Sequence, residues 1–144
     1  MRTKKALRYD AQIEREIDKA ISKFSQPLMS NSKWVRVINK LVENADKILK
    51  IEFKKVQRDQ IGELYLDSDT EYGFDYWQDG FECCNSLGGW LTFKEVEYLV
   101  FPKRIAPGNH TEQDLEQIEA LLNSIGQFLL EKDENGLKLI CYRK

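Results

Sequence analysis

Between residues 59 and 93 the chain has no lysine or arginine, although it carries 8 aspartates and glutamates there. It is also poor in histidine, cysteine and proline, with 1, 3 and 3 of each. Cys83 and Cys84 are adjacent and Cys141 stands far off, so the cysteines do not form a secreted disulfide framework. Neighbouring cysteines bridge only through a strained ring. All three are expected as reduced thiols that fill apolar space in a reducing compartment. The lone His110 has no visible partner for a catalytic triad, and with Cys83-Cys84 it lacks the ligand spacing of structural zinc. No run reaches the roughly 18 apolar residues of a membrane span. The basic start, Met1 to Lys5, leads into Ala6-Leu7-Arg8-Tyr9-Asp10, which is no signal-peptide core. A cytoplasmic chain with no membrane contact is the expectation. Gly88-Gly89 lacks the spacing of a phosphate loop and reads as a turn. Repeats and low-complexity tracts are missing too.

The 144 residues are 42% hydrophobic and 32% charged. This composition suits one domain, residues 1–144, that folds without a metal or disulfide staple. Residues 1–8 are expected to be a flexible basic N-terminus. The net charge of −2 conceals an uneven distribution: residues 1–58 carry 15 Lys/Arg against 7 Asp/Glu, and residues 94–144 carry 7 against 9. Two readings stay open. The acidic middle folds against the basic N-terminal part, in pairs worth ~0–1 kcal/mol each, or it forms a docking face for a basic partner.

Hydrophobic spacing predicts a helix over 9–24 (Tyr9, Ile13, Ile17, Ala20, Ile21, Phe24), stopped before Pro27. A second helix, capped by Asn31 or Ser32, presents Trp34, Val35, Ile38, Leu41 and Val42 and ends near Asn44. Alternation predicts strands over 47–56, with Leu49, Ile51 and Phe53 on one face, and over 61–67. Further strands are expected at 74–77 and, past an Asp79-Gly80 turn, at 81–84. Residues 90–93 read as extended and 96–101 as a strand stopped by Pro102. On this reading Glu95 and Glu97 mark a wet strand face. Thr111 with Asp114 resembles a capping box. It opens a helix carrying Leu115, Ile118, Leu121, Leu122 and Ile125 and stopped by Gly126. A hairpin about Asn135-Gly136 closes the chain. The fold class is therefore α+β, a largely antiparallel meander sheet with helices packed on one face.

Asp67, Asp69, Glu71 and Asp75 alternate as calcium ligands do, but Gly73 falls one position late and Gln78 stands where a bidentate glutamate belongs. No metal or cofactor is expected. A basic N-terminal part without a nucleic-acid motif, in a chain of pI near 5.6, argues against nucleic acid. Aromatic residues cluster inside the acidic stretch, which suits anchors within a polar rim. The expected partner-binding set is Asp67, Asp69, Glu71, Asp75, Tyr76, Trp77 and Asp79, facing a basic protein. A small enzyme or ligand-binding site near Trp77, Glu82 and Cys83 is the alternative.

The segments Ser32–Leu41, Phe93–Pro102 and Gly136–Tyr142 resemble a family of small bacterial proteins with a Lys-Trp helix start and a Lys-Glu-Ile-Glu-type strand ending near proline. The outline covers residues 32–142 and implies no catalytic residues. Leu87-Gly88-Gly89-Trp90, in a small acidic α+β chain, is similar to bacterial toxin-immunity proteins. That resemblance implies a non-enzymatic protein that binds and neutralises a toxin.

Overall fold

A computed structural model describes residues 4–66, 80–82, 85–86, 90–105 and 111–144, with backbone alone for 4–10, 80–82 and 90. Helix α1 spans Lys4–Ile21, starting five residues before the point its hydrophobic spacing predicts. Among its residues whose side chains are described, Ile17 and Ala20, three apart, are buried. It closes through Lys23 N–H to Ala20 O and Phe24 N–H to Ile21 O, a tightening that ends it before Phe24. Strand β1, Gln26–Pro27, then pairs antiparallel with the last strand, β9, Tyr142–Arg143. Sequence periodicity does not reveal this two-residue ladder, because its partner lies at the other end of the chain.

Helix α2, Asn31–Glu43, is capped by Ser30, one residue before the expected cap. Ser30 has extended backbone, and its Oγ accepts from Lys33 N–H at 3.1 Å. That leaves Asn31 and Ser32 inside the first turn. The buried face is Trp34, Val37, Ile38 and Leu41. Val37 replaces Val35 and Val42, which are only partly buried.

The main sheet has five strands in the order β3-β2-β6-β8-β7, every pairing antiparallel. They are β2 Ile51–Lys55, β3 Ile61–Leu64, β6 Val96–Pro102, β7 Leu129–Lys132 and β8 Gly136–Ile140. Two local hairpins, β2–β3 and β7–β8, flank the central β6. A separate ladder joins β4, Gly80–Glu82, to β5, Trp90–Thr92. The expected strand at 74–77 lies outside the described residues. Helix α3, Leu115–Asn123, is capped by Asp114, which accepts from Gln117 N–H at 3.1 Å. The fold is thus α+β with a mostly antiparallel sheet.

Alternation decides the core. Ile51, Phe53, Leu64, Leu99, Phe101, Leu137 and Leu139 are buried in one cluster with Trp34, Val37, Ile38 and Leu41 of α2 and Leu115, Ile118 and Leu122 of α3. Glu52, Lys54, Glu63, Tyr98, Val100, Lys138 and Ile140, the alternate strand positions, are partly exposed. The Asn135-Gly136 turn is tied by the Asp133 carboxylate, which accepts from Asn135 and Gly136 N–H at 2.8 and 3.0 Å. Gly136 lies so close to β6 that an added Cβ would sit 2.8 Å from Phe101 O.

Glu95 departs from the wet-face expectation. It sits in a 3-10 turn, Phe93–Glu95, and is buried. Its Oε2 accepts from Thr92 N–H at 2.7 Å and Thr92 Oγ1 at 2.9 Å. Oε1 accepts from Gln57 Nε2 at 2.9 Å and lies 3.6 Å from Lys55 Nζ. A buried charge persists only when paired and hydrogen-bonded in this way.

Candidate functional site

Asp67, Asp69, Glu71, Asp75, Tyr76, Trp77 and Asp79 all lie outside the described residues, as does Cys83. Glu82 is placed by its backbone in β4. The structure does, however, place both shoulders of the acidic stretch. β3 leads into it, and β4 returns from it to pair with β5. Ser86 fastens the return to β3, donating N–H to Glu63 O at 2.9 Å and accepting Glu63 N–H on its Oγ at 2.8 Å. Leu64 and Asn85 form an antiparallel bridge beside it.

The described ion pairs run elsewhere. Lys54 meets Glu97 at 2.9 Å, and Lys55 meets Glu95. Glu14 and Asp18 of α1 both bind Lys94, Asp18 at 3.3 Å. These contacts join the N-terminal part to residues 94–97. Among the described residues, no ion pair joins residues 1–58 to an acid of the 59–93 stretch. Two of that stretch's acids have described side chains: Asp59 is exposed and Glu63 partly so. Glu63 also stands directly opposite Glu52 in the β2–β3 register. Like charges in opposed positions repel.

Beside Glu63 an open cleft of about 290 Å³ lies between the segment entering β2 and the segment leaving β3. Ile48, Leu49 and Lys50 form one wall, and Glu63, Tyr65 and Leu66 the other. Leu49 and Tyr65 are each 52% exposed. The sequence reading put Leu49 on the buried face of a strand beginning at 47. Instead β2 begins at Ile51, and the residues before it follow no alternation, so Leu49 faces water at the cleft. The strand expected over 61–67 stops at Leu64, and Tyr65, which follows buried Leu64, is exposed as period-two alternation requires.

Gln113 holds the first wall. It is buried just before α3, and its side-chain amide copies a strand residue. Oε1 accepts from Leu49 N–H at 2.9 Å and Lys50 N–H at 3.1 Å. Nε2 donates to Lys50 O and Pro102 O, both at 2.8 Å. Lys50 Nζ donates to Ile105 O at 2.9 Å, which engages the cleft's basic side chain. A glutamine in a polar loop gives no sequence signal for this role.

A second cavity, about 40 Å³, is bordered by Trp34, Lys94, Cys141 and Tyr142. It has room for little more than a water molecule. Burial pushes the Cys141 thiol far above its ordinary range, with the Glu97 charge adding to it, so no thiolate is offered. Burial first, then the neighbouring Cys141 and Asp18, raises Tyr142 to about 12. Its hydroxyl donates to Lys94 O at 2.6 Å. This is a packed junction without an activated nucleophile. Among the described residues, no three His, Cys, Asp or Glu are placed to hold a metal ion, and no helix is long and apolar enough to cross a membrane.

No protein-family model, curated protein or solved structure matches the chain.

Proposed function

We propose that this chain is a non-enzymatic protein-binding module that captures a basic protein through its acidic stretch, in the manner of the toxin-immunity proteins that Leu87-Gly88-Gly89-Trp90 resembles. One observation carries the reading. The described bases of residues 1–58 that form ion pairs reach Glu95 and Glu97, none an acid of residues 59–93. Of the two acids of that stretch whose side chains are described, Asp59 is exposed and Glu63 stands opposite Glu52, and neither is neutralised by a described base of residues 1–58. On this reading Asp67, Asp69, Glu71, Asp75 and Asp79 supply the field, and Tyr76 and Trp77 supply apolar anchors. Such a field acts chiefly on the association rate and fades with salt, since the screening length falls from about 10 Å at 0.1 M to about 3 Å at 1 M.

The test is affinity capture of the tagged chain and its Asp69→Lys/Asp75→Lys variant from cell lysate at low and high salt. The association rate of each captured protein is then measured. A basic protein held by the wild type, released by salt and taken up about tenfold more slowly by the variant is the expected result. Equal association rates for the two chains would refute the reading.

A further inference from the structure

We infer that the cleft between Leu49 and Tyr65 seats an apolar side chain of a basic, amphipathic protein segment. This rests on the binding reading above and adds a place and a mode to it.

The cleft's size comes first. At about 290 Å³ it lies at the lower edge of the roughly 300–1,000 Å³ of small-molecule sites, and unlike those sites it stands open to solvent. One or two side chains fill such a space. Its chemistry comes next. Two of the four large hydrophobic side chains that stand exposed among the described residues, Leu49 and Tyr65, flank this one cleft. Tyr65 is of a residue type over-represented among the side chains that carry interface binding energy, and Leu49 adds apolar surface beside it.

Charge then selects the occupant. Glu63 lines the cleft and Glu52 opposes it across the ladder, with no ion pair to either among the described residues. Lys50, the base in the wall, is engaged by Ile105 O. A lysine or arginine flanking the inserted apolar group would relieve the Glu52–Glu63 repulsion, whereas an acidic segment would increase it.

Backbone hydrogen bonding decides the mode. An extended peptide adding to the sheet at β3 would need the outward N–H and C=O of Glu63. Ser86 uses both. The partner therefore engages through side chains and not as an added strand.

The test uses the full chain, labelled with ¹⁵N, and three synthetic peptides. One has leucine and lysine at helical spacing, the second has its leucines replaced by serine, and the third has its lysines replaced by glutamate. The leucine–lysine peptide is expected to shift the amides of Leu49, Lys50, Glu63 and Tyr65. The glutamate peptide should shift none of them. Leu49→Ser and Tyr65→Ser should each weaken the leucine–lysine peptide about tenfold. Both residues are exposed, so an unchanged spectrum away from the cleft will show that the variants are folded. If the serine peptide binds as well as the leucine one, or the variants bind undiminished, the cleft is not the seat, while capture by acidic charge still stands. If neither lysine-bearing peptide binds, both ideas fall.

Discussion

Gln113→Ala removes four hydrogen bonds with one substitution and tests how the cleft is built. The alanine leaves Leu49 N–H, Lys50 N–H, Lys50 C=O and Pro102 C=O without their partner. Each such bond contributes a net ~0.5–1.5 kcal/mol, so the four together set an upper range of ~2–6 kcal/mol. Water will reach some of the orphaned groups, because Leu49 is half exposed. A loss of about 2–4 kcal/mol is therefore expected in urea unfolding at constant m-value. Hydrogen exchange should localise it, with the Leu49 and Lys50 amides losing protection first. Gln113→Glu sharpens the test at nearly constant volume. Its carboxylate still accepts from the two amides but turns an oxygen toward Lys50 O and Pro102 O. Those acceptors favour the protonated acid and raise its pKa in the folded state. The raised group contributes stability that is fully present below the unfolded value, ~4.3, and is lost as pH rises through the folded one. The glutamate variant should thus approach wild type in acid and fall away from it toward neutrality. A Gln113→Ala loss below about 1 kcal/mol, with Leu49 and Lys50 still protected, would refute the clamp.

Two further perturbations report on other parts of the molecule. Tyr142 is held neutral to about 12, against ~10 when unfolded, so its contribution is complete below ~10 and is lost as pH rises through about 12. Tyr142→Phe should lose ~1 kcal/mol at neutral pH with the bond to Lys94 O, and should show a shallower stability decline between pH ~10 and ~12; an unchanged alkaline limb would exclude Tyr142 as its source. Glu63→Lys replaces the repulsion across from Glu52 with attraction, so it should raise stability by ~0.2–1 kcal/mol in urea unfolding while weakening capture of a basic partner; a loss of stability would refute the repulsion argument.

Local signals in the sequence carried far, and their reach explains where they stopped. Trp34, Ile38 and Leu41 on one helix, Leu115, Ile118 and Leu122 on another, and Asn135-Gly136 between two strands are readable because each pattern is complete within a few residues. The central place of β6 is not, since it is fixed by pairing with β2 on one side and β8 on the other, far apart in the chain. Glu95 misled for a related reason. Its alternation with Val96 and Glu97 looks like a strand, but Thr92 draws its carboxylate into a turn, and Gln57 and Lys55 supply partners from 38 and 40 residues away. At the cleft, Leu49 fits a period-two pattern, but the strand begins two residues after it, at Ile51. Gln113 carries no pattern at all, because what singles it out is the geometry of an amide facing a strand's backbone.

The same contrast bears on why a fold would keep Glu52 opposite Glu63. Cross-strand neighbours are the unit of sheet stabilisation, and this register spends one pair of positions on repulsion. Elsewhere the chain manages its charges with care. Lys54 has Glu97, Lys55 has Glu95, and Lys94 collects Glu14 and Asp18. Places where a sequence breaks a local rule without a compensating gain in the folded state are where function is to be sought. Here the broken rule lies within a stretch that excludes every base, beside a cleft with two exposed apolar side chains. Each feature alone has an ordinary account: a chance register, a composition fluctuation, a surface leucine. All three would be relieved together by one event, the arrival of the basic segment with an apolar side chain proposed above.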